Sequence, residues 1–104
     1  MDALILAIDL GTSGPKVGLI TPQGVVVDCE IEATKLNILP GGGAEQDPDD
    51  WWAAIKTAMA RLLANNPDAV GKIKAIGGTS QWSGTVAVDR DGRHLMNAII
   101  WMDS

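Results

Sequence analysis

A chain of 104 residues, 46% of them hydrophobic, can build one small domain with its own core. Its net charge of −5 argues against nucleic acid or an anionic membrane as the main partner, and no apolar run approaches the roughly 18 residues of a membrane span. The lone Cys29 has no internal disulfide partner, which fits a reducing compartment, and Asp2 with no basic segment around it does not open a secretory signal. A soluble, cytoplasmic protein is expected.

Leu4-Ile5-Leu6-Ala7-Ile8-Asp9 is a continuous apolar run ending in a carboxylate and reads as a buried strand. Lys16–Ile20 reads as a second, shorter strand. Thr21-Pro22-Gln23-Gly24 turns the chain into a third, Val25–Ala33. Toward its end this strand alternates, with Cys29, Ile31 and Ala33 on one face and Asp28, Glu30 and Glu32 on the other. Cys29 is expected in the core rather than as a nucleophile. Pro40–Gly43 reads as a flexible loop. Asp47-Pro48-Asp49-Asp50 is a helix start: Asp47 caps, Pro48 fits the first helical position, and the acids suit the positive end of the dipole. The helix runs to about Asn65, with Trp51, Trp52, Ile55, Ala58, Met59, Leu62 and Leu63 on its apolar face, and Asn65-Asn66-Pro67 ends it. Lys72–Gly77 reads as a fourth strand that runs into Gly78-Thr79-Ser80-Gln81-Trp82-Ser83-Gly84. Thr85–Asp89 and Ala98–Trp101 read as two more strands around an Asp91-Gly92 turn. Three strands, a helix, a strand and a hairpin predict an α/β sheet covered on at least one face. Met102-Asp103-Ser104 carries no terminating signal, so the chain reads as the front of a longer protein.

The chemistry concentrates in turns of small and polar residues. Behind the first strand, Gly11 and Gly14 allow a phosphate close to the backbone, and successive N–H groups can form an anion-binding nest. Thr12 and Ser13 add hydroxyls and Lys16 a point charge. Asp9 has the wrong sign for a phosphate unless a divalent cation lies between, so the economical ligand is Mg²⁺ with a nucleotide's phosphates. The alternative is a hairpin whose turn simply requires small residues. Neither a Walker loop nor the dinucleotide fingerprint is present. Gln81-Trp82-Ser83 offers an amide, an indole and a hydroxyl, which suit a sugar or polyol. The alternative is a polar surface loop with Trp82 packed as a plug. Ligands of open α/β sheets gather where strands deliver their carboxyl ends. Both loops share that rim if the first and fourth strands are parallel neighbours. Trp101 either walls the same pocket or sits in the core, the usual place for an indole. Of Trp51 and Trp52, one is expected on the sheet and the other half exposed. Glu45-Gln46 either reaches a ligand or leads into the helix cap. His94 has no partner at metal or triad spacing and receives no role.

Together these segments resemble the N-terminal part of an FGGY-family carbohydrate kinase. Asp9-Leu-Gly-Thr-Ser-Gly-Pro-Lys16 resembles the family's first phosphate motif. Glu45-Gln-Asp-Pro-Asp-Asp-Trp-Trp52 resembles its Glu-Gln-Asp-Pro-x-x-Trp-Trp segment. Ala75-Ile-Gly-Gly-Thr-Ser-Gln-Trp-Ser-Gly84 resembles the sugar-binding loop, and Ala98-Ile-Ile-Trp-Met-Asp-Ser104 the Trp-x-Asp segment after it. The resemblance implies an actin/hexokinase-like fold of two RNase H-like domains, with residues 1–104 forming the opening part of the first. It implies transfer of the γ-phosphoryl of MgATP to a sugar hydroxyl, a pentulose such as xylulose being the default. By position, Asp9 would act on Mg²⁺, and Gly11, Thr12, Ser13 and Lys16 would border the ATP phosphates. Gln81, Trp82, Ser83 and Trp101 would border the sugar. Many pentulose kinases of the family carry Gln-Met-His where this chain has Gln81-Trp82-Ser83, which leaves the sugar open. The family's catalytic base, an Asp far down the chain, has no counterpart here. The 104 residues alone are therefore expected to be inactive, and to self-associate through the uncovered sheet. Another actin-like phosphotransferase and a stand-alone binding module are the competing readings.

Overall fold

The structure, a computed structural model, describes residues 3–104; Met1 and Asp2, and with them the non-secretory reading of the N-terminus, lie outside the described residues. In chain order the elements are β1 (Leu4–Leu10), β2 (Pro15–Ile20), β3 (Val26–Ile31), β4 (Asn37–Ile38), β5 (Ala44–Gln46), α1 (Pro48–Asn65), β6 (Ile73–Ser80) and β7 (Ala98–Ile99). The main sheet has the order β3-β2-β1-β6. β1 to β3 form an antiparallel meander, and β6 lies parallel to β1 after the crossover through α1. The fold is thus α/β, with a mixed sheet and one main helix.

The helix begins where the sequence places it. Asp47 Oδ1 accepts from Asp49 N at 2.9 Å, Pro48 opens the first turn, and Asn66 closes the last. α1 buries Ala54, Ala58 and Leu62. Ala58 and Leu62 meet Leu4 and Leu6 of β1 and Val17 and Leu19 of β2, which form the main core. Each fully buried leucine or valine of this core stabilises the fold by about 1.5–3 kcal/mol. Trp51 packs inward on a second, smaller cluster with Ala44, Ala98 and Ile100. Trp52 lies outside, with the Lys56 ammonium 5.7 Å from its ring centre.

β3 is oriented against its apparent polarity. Its carboxylate side faces α1, because the helix lays polar side chains over this edge. Arg61 Nη1 donates to Glu32 at 2.9 Å, its Nη2 donates to the Ile31 carbonyl at 2.8 Å, and its Nε lies 3.4 Å from Glu30. The Glu32 hydrogen bond, with Glu30 beside it, raises the Arg61 pKa above its ordinary value. Asn66 donates to Asp28 at 2.8 Å. Cys29 therefore points to the opposite face and is exposed, which corrects the expectation of a core residue.

That opposite face is a concavity of about 440 Å³ lined by Ala7, Asp9, Lys16, Gly18, Cys29 and Gly77 among others. No described element covers it. β6 is exposed from Lys74 to Ser80, and its outer edge pairs with no described strand. An uncovered apolar face beside a long open edge invites association between copies. Light scattering on the purified chain should show dimers or larger species that grow with concentration. A monodisperse monomer that binds no hydrophobic dye would count against this.

Residues 37–46 and 98–99 form a second sheet, β4-β5-β7, that the sequence did not announce. The expected flexible loop is a tight turn closing β4 onto β5, with Gly41 at φ 85° and Gly42 at φ 97° and Leu39 N donating to Gly43 O at 2.7 Å. The expected strand Thr85–Asp89 is absent. Thr85 makes only an isolated bridge to Ile99, and Val88 one to His94. Gly92, at φ 82°, turns the chain between them, as the Asp91-Gly92 pair requires. Among the described residues no helix is long and apolar enough to cross a membrane.

Candidate functional site

β1 and β6 are parallel neighbours in register, with Asp9 beside Thr79 and Leu10 beside Ser80. The turn after β1 and the loop after β6 therefore leave the sheet side by side. Gln81 N donates to Leu10 O at 2.8 Å and fixes that adjacency by one further backbone bond. The rim predicted for the two loops is formed.

On the turn side, Asp9 lies opposite Lys16 in the β1–β2 register, and both are exposed on the open face. No ion pair joins them among the described residues. Gly14 N donates to Gly11 O at 3.3 Å, while the N–H groups of Thr12 and Ser13 donate to no described residue. Gly14 adopts φ 145°, and a Cβ there would clash with the Glu32 carbonyl oxygen. The second glycine is thus required by the way residues 32–34 cross the turn, where Thr34 N donates to Ser13 O at 3.1 Å. The result is a carboxylate, two unengaged N–H groups, two hydroxyls and an ammonium around one bend. That donor set fits a divalent cation with a phosphate, the carboxylate on the metal and the N–H groups and Lys16 on the anion.

On the loop side, Trp82 is 75% exposed, so it is no plug. Ser83 has φ 54°, the one positive value outside glycine among the described residues. Such a conformation costs of order 1 kcal/mol or more and persists where surrounding structure imposes it. Trp101 is 46% exposed, which corrects the core placement its residue type favours taken alone. Its Nε1 donates to Thr12 Oγ1 at 2.7 Å, so the indole stands against the turn after β1. Thr12 Oγ1 in turn donates to Gln81 Oε1 at 3.3 Å.

The residue that sequence reasoning underrated is Gln46. Its side chain is fully buried, donates to Thr12 O at 2.8 Å, and accepts from Trp51 Nε1 and Gln81 Nε2, both at 3.0 Å. Its residue type gives little signal of this, because Thr12 and Gln81 lie 34 and 35 residues away in sequence. Its neighbour Glu45 accepts from Asn97 Nδ2 at 3.2 Å and stays in the second sheet. Asp103 Oδ2 accepts from Ala44 N at 3.0 Å, which ties the segment after Trp101 to β5. His94, left without a role, lies 3.4 Å from Asp47 and 3.8 Å from Asp49 at the start of α1.

Residues 4–104 match the FGGY family of carbohydrate kinases, N-terminal domain. A xylulose kinase of Klebsiella pneumoniae is 37% identical over 96% of this chain and 20% of its own length. The crystal structure of a xylulose kinase from Brucella ovis superposes with a TM-score of 0.91 at 34% identity, covering 96% of this chain and 21% of that one. The crystal structure of Plasmodium falciparum glycerol kinase with ADP gives a TM-score of 0.88 at 26% identity, covering 99% of this chain and 21% of that one. The chain spans about a fifth of the length of the curated relatives it matches. With the four motifs in order, the two rim loops adjacent and the family match running from Leu4 to Ser104, this chain belongs to the FGGY family of carbohydrate kinases.

Proposed function

We propose that residues 1–104 are the N-terminal part of the first RNase H-like domain of an ATP-dependent sugar kinase. The observation that carries this is the side-by-side exit of the two polar loops from β1 and β6, with the phosphate turn bonded to the sugar-side residues Gln81 and Trp101. In-line transfer needs donor and acceptor held together in one geometry, and these bonds hold two half-sites together. Bound MgATP supplies the phosphoryl group. Asp9 faces the magnesium ion; Gly11, Thr12, Ser13 and Lys16 border the phosphates. Gln81, Trp82, Ser83 and Trp101 border the sugar, with a pentulose such as xylulose the first candidate. The base that takes the hydroxyl proton belongs to sequence beyond these residues, so 1–104 alone should show no turnover. Such a protein works in the cytoplasm, where ATP and free sugars meet.

The test is a phosphorylation assay of a full-length protein carrying this segment, against D-xylulose, glycerol and gluconate, with 1–104 in parallel. Turnover of none of the three by the full-length protein would sink the reading, and turnover by contaminant-free 1–104 would sink the assignment of the base.

The loop gives a sharper prediction. Trp82→Ala should raise the KM for sugar by an amount equivalent to about 1–3 kcal/mol and leave the KM for ATP nearly unchanged. The exposed indole is assigned to a sugar face, away from the nucleotide. Ser83→His, which restores the residue type of many pentulose kinases, should change the ranking of sugars. An unchanged ranking together with an unaltered sugar KM for Trp82→Ala would remove this loop from the site.

A further inference from the structure

Gln46, Thr12 and Gln81 close a ring of hydrogen bonds. Gln46 Nε2 donates to the Thr12 carbonyl, Thr12 Oγ1 donates to Gln81 Oε1, and Gln81 Nε2 donates back to Gln46 Oε1. The direction of every bond is fixed by chemistry. An indole N–H only donates, so the Gln46 atom facing Trp51 is its oxygen; a carbonyl only accepts, so the atom facing Thr12 O is its nitrogen. That polarity passes through Gln81 to the Thr12 hydroxyl, which accepts from Trp101. The ring joins three segments remote in sequence: the turn after β1, the end of β5 and the loop after β6. Gln46 is its anchor, because it alone is fully buried and is held from below by Trp51.

We propose that Gln46 is a positioning residue for phosphoryl transfer, setting the phosphate turn against the sugar-side residues Gln81 and Trp101 without touching either substrate. The proposal rests on the kinase reading above. Its consequence is a split. Each half-site keeps its own binding groups when Gln46 is changed, while their mutual placement is lost. A misplacement of about 1 Å can cost roughly a hundredfold in rate.

Two variants separate this from a packing role. Gln46→Met keeps the volume and removes every bond. In a full-length kinase carrying this segment, kcat should fall roughly a hundredfold while both KM values move far less. Gln46→Glu keeps the acceptor for Trp51 and Gln81. Its protonated form restores a donor toward Thr12 O, whereas its ionised form sets oxygen against oxygen. Activity relative to wild type should therefore recover as pH is lowered. A Gln46→Met enzyme that melts earlier but turns over at the wild-type rate would overturn the proposal, as would a Gln46→Glu profile parallel to wild type. If Gln46→Met does not fold, Gln46→Glu decides alone. NMR of the 104-residue chain keeps the joint separate from the kinase reading. Gln46→Glu should shift the Trp101 indole N–H, which it does not touch, through Thr12. An unmoved Trp101 resonance would refute the joint even if the full-length protein is a kinase. Absent turnover by wild type would refute the kinase reading and leave the NMR result standing.

Discussion

Asp9→Asn in a full-length kinase carrying this segment is expected to lower kcat by roughly a hundredfold, about 2.7 kcal/mol of transition-state stabilisation, and to leave the KM for sugar nearly unchanged. The substitution keeps the size of the side chain and removes only its charge. Asp9 is exposed at the end of β1, between Lys16 on β2 and Thr79 on β6, and no described cation pairs with it. Stability should therefore hardly respond, because an exposed and unpaired carboxylate contributes little to folding. The proposed partner is a magnesium ion, whose effect is greatest as charge redistributes on the transferred phosphoryl group. Steady-state kinetics at saturating MgATP, with a thermal melt as control, make the measurement. Near wild-type turnover would reduce the turn after β1 to a structural bend.

Much of the molecule is legible because its strongest signals are local. The apolar run ending in Asp9 is β1, and Asp47-Pro48 starts α1, since an Asx cap followed by proline has few other uses. The rim was legible only as a condition, that the first and fourth strands be parallel neighbours, and the pairing of β6 with β1 meets it. The second sheet was not legible. β4 and β7 have two residues each and β5 three, too short for a period of two to show. They are held instead by contacts distant in sequence, such as Asp103 with Ala44. The face of β3 was misread for a related reason. Alternation marks two faces, but which one is covered depends on where α1 ends, and there Arg61, Asn65 and Asn66 meet the carboxylates. Residue types singled out the two loops that leave β1 and β6 side by side. They did not show that Gln46 and Trp101 converge on Thr12 from sequence separations of 34 and 89 residues.

Gly14→Ala is expected to produce the largest loss of stability of any glycine-to-alanine change in the chain. Its φ of 145° is a conformation L side chains rarely adopt, and strain of this kind costs about 1–3 kcal/mol. The new Cβ would also meet the backbone of residues 32 and 33, clashing with Glu32 O and lying 2.9 Å from the Glu32 carbonyl carbon. Backbone cannot rotate away as a flexible side-chain tip can, and overpacking adds about 1–3 kcal/mol. The combined loss of about 2–6 kcal/mol is large against the roughly 5–15 kcal/mol that holds a typical domain together. Two other glycines separate the terms. Gly24 has φ 90° with nothing within 4 Å of an added Cβ, so Gly24→Ala carries the backbone strain alone. Gly71 has open space and no positive φ, so Gly71→Ala should be nearly silent. Chemical denaturation should rank the losses as Gly14, then Gly24, then Gly71, and equal losses at Gly14 and Gly24 would show that residues 32–34 do not press on the turn. The same clash carries a functional consequence, because relief is available only by moving residues 13–15 away from β3's tail. Thr12 follows that movement and leaves its bonds to Gln46, Gln81 and Trp101. A folded Gly14→Ala protein should therefore lose the Trp101 indole contact in NMR, whereas Gly24→Ala, at the far end of β2, should keep it.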